Sequence, residues 1–199
     1  QEKVLDLIAN GKIQVTSDDY EEQQLELFGV NNPGKVYTPS FKEEFSSYYQ
    51  NLQKDKSIFQ DGRWVYFPWS SKLVHILEED DFQKVRSTRN MNLISKEEQV
   101  KFYNSCVAIG GLSVGSSVAF ALVLQGGAKH IKLADMDRLA LSNTNRILMG
   151  VDNLGILKVE MAARRIYEMN PYAIVELFKD GIHPDNIDVF FDGVDVVID

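Results

Sequence analysis

The chain has 199 residues, 44% hydrophobic and 25% charged, an ordinary globular composition with room for one domain plus a large extension or for two small domains. Its formal net charge is −8, with 15 acidic against 9 basic residues over 1–85 and 14 against 12 over 86–199; no Lys/Arg cluster supplies the basic face that nucleic-acid binding needs. No apolar run reaches the ~20 residues of a membrane helix, Gln1-Glu2-Lys3 does not open a signal peptide, and one cysteine excludes an internal disulfide or a cysteine-rich zinc site, so the expectation is a cytoplasmic protein that meets neither nucleic acid nor membrane.

In chain order, Val4, Leu5 and Ile8 give helical spacing over 3–9, which Asn10-Gly11 ends. Thr16, Ser17 and Asp18 are candidate caps of a second helix reaching about Phe28. After the turn Asn31-Asn32-Pro33-Gly34, a third helix carries Phe41, Phe45, Tyr48, Tyr49 and Leu52 as a packing stripe. A hairpin is predicted over 56–67, with Ile58-Phe59 and Trp64-Val65-Tyr66-Phe67 as its strands and Asp61-Gly62 as its turn. A further strand spans 73–77, with His75 as a structural residue on it, and a polar helix spans 79–85. Residues 1–85 contain no catalytic constellation and read as an α+β extension; the boundary falls between 85 and 86.

The informative stretch begins where Ser95 caps a helix to about Tyr103 and the buried-strand run Cys106-Val107-Ala108-Ile109 breaks at Gly110 and Gly111. Leu112 and Ser113 lead through Gly115 into an apolar helix that stops at Gly126-Gly127. A strand over 130–134 follows and ends in Asp135, twenty positions after Gly115, where a nucleotide-binding βαβ unit holds a ribose hydroxyl. Glycines admit a close backbone approach, and the N–H groups of a helix start attract anions. Gly110 and Gly115 occupy the first and third places of G-x-G-x-x-G, but the second holds Leu112, so the turn serves either a nucleotide or a plain strand-to-helix connection. If Leu112 obstructs phosphate approach, Leu112→Gly should tighten ATP binding and leave the fold intact.

After the acidic loop, Gly155 precedes a helix over 156–169 that places Lys158 in its first turn, where a cation opposes the helix dipole; that mild misfit favours a ligand role, the other reading being an exposed lysine. Strands over 173–178 and 194–198, with a short helix over 184–191 between them, complete an α/β, Rossmann-like, mostly parallel sheet.

Asp135-x-Asp137, then Leu141-Ser142-Asn143-x-x-Arg146 and then Lys158, resembles the nucleotide site of the ThiF-like adenylating enzymes, relatives of the ubiquitin-activating enzymes; the resemblance runs from about Arg86 to Asp199. It implies ATP-dependent adenylation of a carboxylate with Mg2+, the substrate being the C-terminus of a ubiquitin-like or sulfur-carrier protein. Gly110, Gly111, Ser113 and Gly115 would cradle the nucleotide, Asp135 would hold the ribose, Asp137 would lie near the metal, and Asn143 would order the loop. Arg146, Lys158 and Arg89 would neutralise phosphates, Arg89 across a homodimer interface; from sequence alone Arg86 and Arg89 are equally well solvated charges. The family's metal-holding aspartate falls after Asp199, so no metal ligand is assigned and the sheet is expected to be truncated. Cys106, inside the first strand, is not the family's thioester cysteine. Two other readings stay open: an NAD- or FAD-dependent oxidoreductase, which leaves Asn143, Arg146 and Lys158 unexplained, and a non-catalytic nucleotide-binding or interaction module.

Overall fold

The computed structural model describes residues 2–55 and 58–199, and the chain divides into two compact units, Gln1–Thr88 and Arg89–Asp199. The first unit runs α1 (Glu2–Ala9), β1 (Val15–Asp18), α2 (Tyr20–Asn31), α3 (Phe41–Asp55), β2 (Arg63–Phe67), β3 (Lys72–Ile76) and α4 (Glu79–Arg86). Its sheet has the order β1-β3-β2, with β1 parallel and β2 antiparallel to β3. Thr16 and Ser17, expected to cap a helix, are therefore strand residues: pairing with β3 overrides the local cap signal. Asp19 takes the N-cap position, and it makes no side-chain cap bond.

The hairpin also differs from expectation. Its strands are β2 and β3, joined through 68–71 with Ser71 at φ 50°, while Ile58–Gln60 is a single 3-10 turn; Lys56 lies outside the described residues. Asp61-Gly62 is a bend that admits the chain to β2. Gly62 has a φ of +66°, and a Cβ there would meet Ile76 O and the Tyr20 ring at 2.5 Å. His75 is fully buried on β3, stacked between Tyr20 and Trp64 at 4.0 and 4.3 Å, with Nδ1 at 2.9 Å from Asp18 Oδ1 and Nε2 at 2.7 Å from Asp61 O.

The second unit runs α5 (Lys96–Tyr103), β4 (Cys106–Gly110), α6 (Gly115–Leu124), β5 (His130–Ala134), α7 (Lys158–Met169), β6 (Ile174–Phe178), α8 (Ile187–Phe191) and β7 (Val196–Ile198). Ser95 and Glu98 close a capping box on α5, each side chain bonding the other's backbone N–H. The four strands are all parallel in the order β6-β5-β4-β7. Alternation along the strands sends Val107, Ile109, Ile131 and Leu133 to one face, against Ala119, Phe120 and Val123 of α6 and Val159, Ala162 and Ile166 of α7. The opposite face carries Ala108 and Ala134 under Phe190 of α8. There the buried Lys132 ammonium donates to Val189 O at 2.8 Å and Asp192 O at 2.7 Å, satisfying carbonyls at the end of α8. Among the described residues, no helix is long and apolar enough to cross a membrane.

Candidate functional site

In a sheet of this order the carboxyl ends of β4 and β7 flank the place where the strand order reverses, and ligands of open parallel sheets bind in the crevice there. Gly110 ends β4 at that point; a Cβ on it would lie 3.4 Å from Ile182 Cδ1 and 3.6 Å from Asp199 Oδ1. Gly111 needs its φ of +71° to turn the chain, and its N–H donates to Ala134 O at 2.9 Å. Gly115 opens α6 in close contact with the strand, since a Cβ there would meet Ile109 Cγ2 at 2.7 Å. Leu112 corrects the sequence expectation. Its side chain is fully buried in the core shared by β4, α6 and α7, so it obstructs nothing at the loop surface.

The backbone of Leu112 instead joins this turn to the acidic loop. Its N–H donates to Asp135 Oδ2 at 2.7 Å, while Asp135 Oδ1 accepts from the Asp137 N–H at 2.8 Å. The Asp135 side chain is 8% exposed and that of Asp137 65%. The loop beyond is held from below by Leu139 and Ile147, which pack on Met161 of α7. Asn143 Oδ1 accepts from the Ala140 N–H at 3.0 Å, and the Asn143 N–H donates to Ala140 O at 2.9 Å, closing the turn reciprocally.

Lys158 is the first residue of α7 and so lies in its first turn, as its spacing suggested; the helix starts two residues later than expected because Leu157 is still extended and bridges Arg138. Its side chain is only 4% exposed, and Nζ lies 2.7 Å from Asp137 Oδ2, 3.4 Å from Ser113 Oγ and 3.5 Å from Asp135 Oδ2. Two carboxylates thus outweigh the unfavourable helix dipole. This pairing is what sequence reasoning missed, because nothing local links Asp137 to a lysine 21 residues later. In the first turn of α6, the fully buried Ser116 Oγ has no hydrogen-bond partner among the described residues.

Two predicted site residues stand apart from this cluster. Arg146 is exposed and bound within its own loop, to Ser142 O at 3.2 Å and Asn145 Oδ1 at 3.1 Å. Arg89 is exposed in the turn Thr88–Asn92, and its neighbour Asn90 donates to Gln99 Oε1 and to Gln125 O. Gln125 caps the C-terminal end of α6, about 15 Å from the glycine turn at 1.5 Å per residue. Cys106 is buried, and burial is the main force pushing its thiol above the ordinary range; Lys132 pulls the other way, while Asp195 and Glu176 add to the rise. That is the environment of an inert thiol.

A parallel sheet in this order, with a glycine turn and an acidic loop meeting at its carboxyl edge, defines a Rossmann-like α/β unit. Residues 87–199 match the ThiF family, and the chain belongs to that family. It is 37% identical over 190 residues to an uncharacterized protein of Mycobacterium tuberculosis (strain CDC 1551 / Oshkosh), a match covering 94% of this chain and 27% of that protein. It is 43% identical over 95 residues to tRNA threonylcarbamoyladenosine dehydratase of Escherichia coli K12, covering 47% of this chain and 34% of the enzyme. The structure of the E. coli dehydratase in complex with ATP superposes with a TM-score of 0.55 at 30% identity, over 61% of this chain and 51% of that one. Ubiquitin-like modifier-activating enzyme 5 of Drosophila grimshawi is 28% identical over 140 residues, 70% of this chain and 34% of that enzyme. The chain therefore spans between about a quarter and a half of the length of these relatives.

Proposed function

We propose that this chain is the nucleotide-binding part of an enzyme that uses ATP to adenylate a carboxylate. The observation that carries the reading is the Lys158 ammonium, sealed from water and directed between the glycine turn and the acidic loop at the edge where ligands of parallel sheets bind. The similarity to a structure in complex with ATP supports the same reading. In the reaction a substrate carboxylate oxygen attacks the α-phosphorus, the bond from that phosphorus to the β-phosphate bridging oxygen breaks, and pyrophosphate leaves with the electron pair. The products are an acyl-adenylate and pyrophosphate.

The protein's part is positioning and charge stabilisation. Gly110, Gly111 and Gly115 allow close approach, and Ser113 offers a hydroxyl beside Lys158. Asp135 uses two of a carboxylate's roughly four lone-pair positions on backbone N–H groups, which leaves acceptor capacity for a ribose hydroxyl. Asn143 sets the loop that presents Arg146, and Lys158 and Arg146 balance phosphate charge. Magnesium is commonly held by one or two carboxylates together with substrate phosphates; Asp137 is the exposed carboxylate of this cluster, and the ion would add charge neutralisation at the phosphates. The substrate is the C-terminal carboxylate of a ubiquitin-like or sulfur-carrier protein, as the motif resemblance implies, and the setting is cytoplasmic. The active species is a homodimer in which Arg89 serves the partner's site, a role supported by its position beside the end of α6 remote from its own glycine turn.

Titration calorimetry tests the ligand. Mg-ATP should bind at least about tenfold more tightly than NAD, a difference of about 1.4 kcal/mol. Equal or reversed affinities would remove adenylation in favour of a dinucleotide-dependent reaction.

A further inference from the structure

Lys158 and Asp137 form an asymmetric pair. The ammonium is almost sealed from solvent, while the carboxylate that meets it at 2.7 Å is 65% exposed on the rim. Asp137 is fixed from behind, because its carbonyl accepts from the Lys158 N–H at 2.9 Å, whereas its side chain reaches the ammonium from the solvent side. The other two neighbours of Nζ are more distant, at 3.4 and 3.5 Å, so Asp137 is the principal counter-charge. A buried cation requires such a counter-charge, and an exposed carboxylate is the member of the pair that water can take over at least cost.

From this geometry we propose that Asp137 is an exchangeable counter-ion for Lys158, competing with the phosphates of ATP for a single ammonium. The inference rests on the adenylation reading and adds to it a positioning residue that limits affinity. A phosphate arriving at the glycine turn meets an ammonium already paired. It takes the place of Asp137 Oδ2, and the carboxylate swings into solvent. No covalent step is involved. Asp137 thus holds Lys158 aimed at the site, at the cost of weaker binding to polyanions. Asp135 cannot take the same part, since its carboxylate is nearly buried and held by two backbone N–H groups.

The test measures ATP and adenosine affinities in EDTA for the 199-residue chain and its Asp137→Asn, Asp137→Ser and Asp137→Glu variants. Working without magnesium separates the competition from any contact between Asp137 and the metal. The Asn and Ser variants should each bind ATP about tenfold more tightly, the scale of one charge-assisted hydrogen bond. The Glu variant should stay within about threefold of the parent, and adenosine, which has no phosphate, should bind all four alike. Two neutral variants are used so that the outcome does not depend on one of them folding. If the parent binds ATP and neither neutral variant binds it more tightly, the counter-ion role is wrong while the ATP reading stands. A gain for adenosine equal to that for ATP also overturns it, since the effect would then be a change of loop structure. If no form binds ATP, both fail together.

Discussion

Leu112 shows how one residue can occupy a motif position without doing that position's work. A nucleotide loop of the G-x-G-x-x-G kind has its second glycine there because a side chain would separate backbone from phosphate. Here the side chain points inward and is fully buried, and Leu112 is not among the residues of positive φ, so neither space nor backbone conformation calls for glycine. Leu112→Gly should therefore cost about 3 to 5 kcal/mol of stability through the lost core side chain and the more flexible turn. It should not tighten ATP binding. Urea unfolding and an ATP titration of the same variant check both halves, and a stable variant with improved affinity would contradict the observed packing. Lys158 makes the complementary point: an apparent misfit with the helix dipole is resolved by Asp135 and Asp137, which come from another element.

Among the elements, the contact of α6 with β4 governs the site, because the glycine turn is the segment between them. Gly115 sets that contact. A methyl at this position would lie 2.7 Å from Ile109 Cγ2, and Ile109 is itself fully buried. Gly115→Ala should cost about 1 to 3 kcal/mol by overpacking and weaken ATP binding, because α6 must retreat and carry the turn with it. Unchanged thermal unfolding would show that the helix is less tightly seated. The elements of this unit were legible in the sequence for a physical reason: Cys106–Ile109, His130–Ala134 and the run after Gly115 have the periods and glycine stops that parallel strands and their crossover helix demand. The motif spacings likewise marked Asp135 and Lys158. Less was legible in the first unit. Val15–Asp18 is a strand only because β3 lies beside it, and a pairing across 57 residues leaves no local trace. The same limit hid the Asp137–Lys158 pair and the inward turn of Leu112, which depend on neighbours distant in the chain.

For the whole molecule the decisive question is whether one chain completes a site. Arg89 lies on the segment pinned beside Gln125, and the proposed homodimer makes it serve the neighbouring copy. Mixing an Arg89→Ala chain with a Lys158→Ala chain tests this: a mixed dimer has one pocket that retains both its own Lys158 and the partner copy's Arg89. ATP binding, weak in either variant alone, should recover in up to half of the sites of each heterodimer. Heterodimers that form and bind no better than the single variants would rule the shared site out. The parallel sheet described above has one more consequence. Because all four strands point the same way, the loops that follow β4, β5 and β6 open on a single rim, while α6, α7 and α8 seal the two faces with apolar contacts. Selection can then act on the rim and on the interior almost independently. Substitutions at exposed rim residues such as Arg146, unlike those at the buried Leu112 or Gly115, leave the folding free energy nearly untouched, and lineages can diverge in substrate while inheriting one frame.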